Sequence, residues 1–85
     1  MIRILVAEDD RPLNKLVCTA LEGNGYQPIA CYDGAQAIAA FDENGADLVV
    51  TDIMMPQADG FALAEHVRGN DAGVPILFMT ALDDK

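Results

Sequence analysis

The chain has 85 residues, 52% of them hydrophobic and 22% charged, with fourteen Asp+Glu against five Lys+Arg and a net charge of −9. That length leaves room for one small domain, and the apolar content is too high for a disordered segment. The acidic balance provides no electrostatic footprint for a nucleic-acid backbone or an anionic membrane.

Ile2-Arg3-Ile4-Leu5-Val6-Ala7 is a short, nearly continuous apolar run, the pattern of a strand buried on both faces in a parallel sheet. It stops at Glu8-Asp9-Asp10, and Pro12 suits a first helical turn. Leu13, Leu16, Val17, Ala20 and Leu21 then recur at helical spacing, so this stripe is expected to face the sheet. Gly23-Asn24-Gly25 ends that helix. It does not follow a strand, and position 28 is Pro, so it is not read as a dinucleotide loop.

Pro28-Ile29-Ala30-Cys31 predicts a second strand, placed at a sheet edge by Pro28. Asp33 and Gln36 form a capping-box pattern before a helix through Ala37, Ile38 and Phe41, closed at Gly45. Leu48-Val49-Val50-Thr51 predicts a third strand ending at Asp52. After the loop from Ile53 to Gly60 comes a helix carrying Phe61, Leu63, Ala64 and Val67, ended near Gly69. Pro75-Ile76-Leu77-Phe78-Met79 predicts a fourth strand ending at Thr80. The alternation βαβαβαβ implies an α/β fold with helices on both faces of an open parallel sheet.

The acids stand at the strand ends. If the strand order is 2-1-3-4, Glu8, Asp9 and Asp52 converge in the crevice beyond the carboxyl ends of the first and third strands. Asp10 is read instead as a helix cap. A carboxylate cluster without His or Cys is a hard-oxygen donor set that suits Mg²⁺. Asp52 alone at a central strand end is a candidate nucleophile, able to form an acyl phosphate, and the Thr80 hydroxyl could bond its oxygens. Cys18 and Cys31 have no metal-ligand spacing and read as small packing residues, and His66 reads as a surface residue. Nothing in the sequence approaches a membrane span or opens as a signal peptide, so a soluble, cytoplasmic chain is expected.

Taken together, Ile4-Leu5-Val6-Ala7-Glu8-Asp9-Asp10, Asp52-Ile53-Met54-Met55-Pro56 with Asp59-Gly60, and Pro75-Ile76-Leu77-Phe78-Met79-Thr80-Ala81 resemble the receiver domain of bacterial two-component response regulators. The resemblance spans essentially the whole chain and implies the flavodoxin-like receiver fold, which supplies the order 2-1-3-4. It implies that Asp52 accepts a phosphoryl group from a sensor histidine kinase. Asp9 and Asp52 would bind Mg²⁺ directly, Glu8 through water, and Met54 through its backbone carbonyl. Thr80 would be the switch hydroxyl, with Ala81 leaving access, while Pro56 and Gly60 shape the loop.

The Glu8-Asp9 pair and the Met54-Met55-Pro56 run are most similar to receivers attached to DNA-binding output domains. In that family a fifth strand with a lysine and a fifth helix follow. Lys85 lies too close after Thr80 to be that lysine, so the chain is expected to be a receiver truncated after strand four, with impaired switching. Self-association through the exposed edge of the fourth strand, or by exchange of elements, is also expected. The competing readings are a phosphorylation-independent interaction module and a Mg²⁺-dependent phosphatase. The phosphatase would need a second Asp two residues after its nucleophile, where Met54 stands.

Overall fold

The computed structural model describes residues 1–55, 57 and 59–79. Seven elements alternate in order: β1 (Arg3–Ala7), α1 (Arg11–Gly23), β2 (Gln27–Cys31), α2 (Gly34–Asn44), β3 (Leu48–Asp52), α3 (Gly60–Asn70) and β4 (Ile76–Met79). The four strands form one sheet in the order β2-β1-β3-β4, every pair parallel. β1 and β3 are therefore central, and β2 lies at the edge that Pro28 implied.

The helices begin where short acids take over orphan N–H groups. Asp10 Oδ1 accepts from Leu13 N at 3.1 Å, Asp33 Oδ1 from Gln36 N at 2.7 Å, and Asp59 Oδ1 from Ala62 N at 2.9 Å. The expected Asp33–Gln36 box differs in one bond. Gln36 Oε1 accepts from the N–H of Tyr32, one residue before the cap, at 2.9 Å. Gly45 ends α2 with φ +69°, a conformation that favours glycine.

The main core fills the sheet face beneath α2 and α3. Leu5, Ala7 and Val49 from the strands meet Ala37 and Phe41 of α2 and Leu63 and Val67 of α3. Ile4 and Val6 alternate to the opposite face, where α1 packs over β1 and β2.

One expectation about burial needs correction. Only part of the α1 stripe lies against the sheet: Val17 and Leu21 are half-buried, but Leu13 is 39% and Leu16 66% exposed, and the fully buried residue of the helix is Asn14. The physical reason is rotation. α1 sits over the β1–β2 half of the sheet and presents Asn14, Val17, Cys18 and Leu21 to it, so the flank carrying Leu13, Leu16 and Ala20 points past the covered strands. On this face Leu77 of β4 is 57% exposed. Of the apolar residues that α3 carries, Leu63, Ala64 and Val67 are buried, whereas Phe61 is 56% exposed. It stands in the first turn of α3 and stacks at a tilt on Phe78, with ring centroids 5.3 Å apart.

His66 does lie toward the surface, on the seam between α2 and α3. Its Nε2 is 2.7 Å from Asp42 Oδ1, and its ring meets Phe41 edge to face at 6.2 Å. Such a solvent-accessible pair contributes at most about 1 kcal/mol.

Candidate functional site

The parallel register pairs Ala7 of β1 with Thr51 of β3, so the residues that follow, Glu8 and Asp52, emerge side by side at the carboxyl edge of the sheet. Glu8, Asp9 and Asp52 each offer a carboxylate oxygen, and these oxygens all lie within 4.8 Å of one another. The convergence expected from the strand order is therefore present. Its members differ in environment: Glu8 is 3% exposed, Asp52 is half-buried and Asp9 is exposed.

Glu8 is the anomalous member. Burial pushes its carboxyl up to about 7, helped by a hydrogen bond with the Asp9 side chain and by the charges of Asp52 and Asp9. A bond from the Asp10 N–H to Glu8 Oε2, at 2.8 Å, opposes that rise. Without a cation the cluster therefore holds more negative charge than its surroundings support. Hard-oxygen donors with an excess of charge fit Mg²⁺, which takes oxygen ligands and keeps waters that a phosphate can replace. Asp10, as expected, is occupied with capping α1.

Around Asp52 the loop is held tightly. Asp52 Oδ1 accepts from the Ile53 N–H at 2.8 Å, leaving the rest of the carboxylate for the cluster. The fully buried Thr51 hydroxyl donates to the Asp52 carbonyl at 2.8 Å. Met55 turns inward against the core, while the Met54 side chain is 76% exposed. Gly60 closes the loop: its N–H donates to the Ile53 carbonyl at 2.8 Å, and a Cβ there would overlap the Asp52 carbonyl oxygen. Gly60→Ala must therefore displace either α3 or the end of β3. It is expected to cost about 2–3 kcal/mol, measurable by urea unfolding, and to weaken Mg²⁺ binding. Pro56, Thr80, Ala81 and Lys85 lie outside the described residues.

Cys31 is buried and Cys18 partly so; burial pushes both thiols up, Cys31 to about 11, which keeps them protonated and inert. Among the described residues no buried side-chain polar atom lacks a partner, and no helix is long and apolar enough to cross a membrane. A separate groove of about 510 Å³ is lined by Phe61, Ala64, Glu65, Arg68 and Phe78, and none of the clustered acids contributes to it.

A four-stranded parallel sheet in this order, with carboxylates gathered where its two central strands end, defines an α/β signalling domain of receiver type. The family model of the response regulator receiver domain matches residues 4–85, and the chain belongs to that family. It is 43% identical over 82 residues to the transcriptional regulatory protein TrcR of Mycobacterium tuberculosis, covering 96% of this chain and 32% of that protein. It is 45% identical over 80 residues to the transcriptional regulatory protein RprY of Bacteroides fragilis, covering 94% and 34%. The chain thus spans about a third of the length of these relatives. Among solved structures, the response regulator TrrA of Thermotoga maritima, in complex with Mg²⁺ and BeF, superposes with a TM-score of 0.90 at 31% identity. That superposition covers 98% of this chain and 72% of that one.

One buried polar residue bonded to the end of β1 was not singled out from the sequence: the Asn14 amide donates to the Glu8 carbonyl at 3.1 Å. Asn14 lies at helical spacing among apolar neighbours, and only its place one turn before Cys18 and two before Leu21, on the side facing β2, could have marked it.

Proposed function

We propose that Asp52 accepts a phosphoryl group from a phosphohistidine on a sensor histidine kinase, in a Mg²⁺-dependent reaction that switches a transcriptional output. The observation that carries this reading is the meeting of Glu8, Asp9 and Asp52 oxygens within 4.8 Å at the ends of the two central strands. An Asp52 carboxylate oxygen attacks phosphorus, the phosphorus–nitrogen bond to the donor imidazole breaks with its electrons passing to that ring, and an acyl phosphate forms on Asp52. Bound Mg²⁺ would neutralise charge on the phosphoryl oxygens during transfer.

Asp9 and Asp52 would hold the ion directly, Glu8 through water, and Met54 through its backbone carbonyl. Thr80 would meet the new phosphate oxygens, with Ala81 leaving room beside it. Pro56 and Gly60 would shape the acceptor loop, a role the close approach of Gly60 to Asp52 supports. The Mg²⁺–BeF complex of TrrA, a relative of like fold, supports the same reading. Mg²⁺ and beryllofluoride added together should shift the amide NMR signals of Glu8, Asp9 and the Asp52–Gly60 loop. Identical spectra with and without the pair would rule the reading out.

We further propose that the chain self-associates, through the edge of β4 or by exchange of elements. The exposed Leu16 and Leu77 on one sheet face, and the position of β4 at the end of the strand order, support it. Sedimentation at micromolar concentration should show a dimer, and a stable monomer would contradict the proposal.

A further inference from the structure

Asn14 is the one fully buried side chain of α1, and it is polar. A helix interior favours other residues, and a buried amide is costly unless its donors and acceptor are all used. Here they are. Asn14 Nδ2 donates to the carbonyl of Glu8 at 3.1 Å and to the carbonyl of Cys31 at 2.9 Å, while Cys18 Sγ donates to Asn14 Oδ1 at 3.2 Å. The main-chain N–H of Asn14 donates to the Asp10 carbonyl at 2.8 Å, and the Glu8 N–H donates to the same Cys31 carbonyl at 3.0 Å.

These bonds close on one turn. The Glu8 carbonyl belongs to the peptide that leads into Asp9, so a donor fixed on it sets the plane of that peptide and the direction in which Asp9 leaves it. Asp10, the next residue, is held by the main chain of Asn14 and in turn donates to Glu8 Oε2. The Asn14 side chain thus ties the carbonyl that leads into Asp9 to the end of β2, while its main chain makes the ordinary first-turn helix bond to Asp10. An apolar side chain in its place, like those of Val17 and Leu21 on the same helix face, would leave the Glu8 carbonyl without this donor.

We infer that Asn14 is a positioning residue for the cation site, orienting the Glu8–Asp9 peptide so that the two carboxylates converge with Asp52. The inference rests on the reading of that cluster as a Mg²⁺ site. Partners that orient ligands from behind typically contribute tenfold to a hundredfold in metal affinity.

The test is an NMR titration of the chain with Mg²⁺ alone, at a temperature where every variant is folded. Asn14→Leu should weaken Mg²⁺ binding by about tenfold or more and shift the Asp9 and Asp10 amides before any metal is added. Val67→Ala, a core truncation in α3, should lower stability comparably yet leave affinity unchanged. Asn14→Ser, which keeps one donor, should recover part of the loss and stands in if the leucine variant does not fold. Cys18→Ala leaves both amide donors in place and should bind as the parent does. If Asn14 variants bind Mg²⁺ like the parent, or lose affinity only as Val67→Ala does, the inference is overturned. A parent chain that binds no Mg²⁺ overturns the reading of the site instead, and the metal-free shifts at Asp9 and Asp10 then decide the positioning role alone.

Discussion

Asp52→Asn is expected to abolish phosphoryl acceptance while leaving the fold intact. The amide has nearly the shape of the carboxylate and can still accept from the Ile53 N–H, but it is not a nucleophile toward phosphorus. Its effect on metal-free stability should have the opposite sign to its effect on function. The Asp52 charge is one of the causes that raise Glu8, so removing it relieves repulsion at a buried carboxyl. Because burial is the larger cause, the gain should be modest, a rise of a few degrees in Tm at pH 8. Incubation with a small-molecule phosphodonor should leave the mass of this variant unchanged. Transfer to the variant at the parent's rate would place the acceptor elsewhere.

The second large effect is the dependence of Mg²⁺ stabilisation on pH. In the unfolded chain Glu8 titrates near 4.5; in the folded chain it titrates at about 7. Between those values the folded protein keeps a proton that the unfolded chain has lost, so Glu8 contributes stability below about 4.5 that disappears as pH rises through about 7. A cation reverses the trend, since it binds the ionised cluster and displaces that proton. Mg²⁺ should therefore raise Tm little at pH 5.5 and strongly at pH 8. At a hundredfold excess over Kd the gain is about 2.7 kcal/mol, or roughly 10–20 °C for a domain of this size. Glu8→Gln removes the titrating group: the metal-free variant should lose this pH slope and Mg²⁺ should stabilise it less. An equal Mg²⁺ effect at both pH values would contradict the assignment of Glu8.

The strands were legible in the sequence because the central strands of a parallel sheet are continuous apolar runs, and Ile4–Ala7 and Leu48–Val50 are such runs. The starts of α1 and α2 were legible because Asp10 and Asp33 cap them by short-range bonds that depend on local chain alone, whereas the Asp59 cap of α3 was not singled out. Strand order was not written in the residues and came from resemblance to a family, and the cluster of Glu8, Asp9 and Asp52 could be drawn only once that order was assumed.

What escaped were the properties set by how elements sit on one another. The apolar stripe of α1 says that the helix has a buried side; it does not say that the helix is rotated so that Asn14, rather than Leu16, meets the sheet. Phe61 had the spacing of a core residue, yet its position in the first turn of α3 carries it to Phe78 at the surface. The burial of Glu8 was hidden for the same reason: three adjacent acids look alike in sequence, and only the register and the packing around β1 separate the buried Glu8, pushed up to about 7, from Asp10, which caps a helix.

The central claim is that three carboxylates at the ends of β1 and β3 form a Mg²⁺ site that serves Asp52 as a phosphoryl acceptor. It is tested most directly by the intact mass of the chain after incubation with acetyl phosphate, with and without Mg²⁺, followed by mapping of the modified residue. The account predicts the gain of one phosphoryl group, dependent on Mg²⁺ and located on Asp52. No gain in the presence of Mg²⁺, or a gain at another residue, would contradict it.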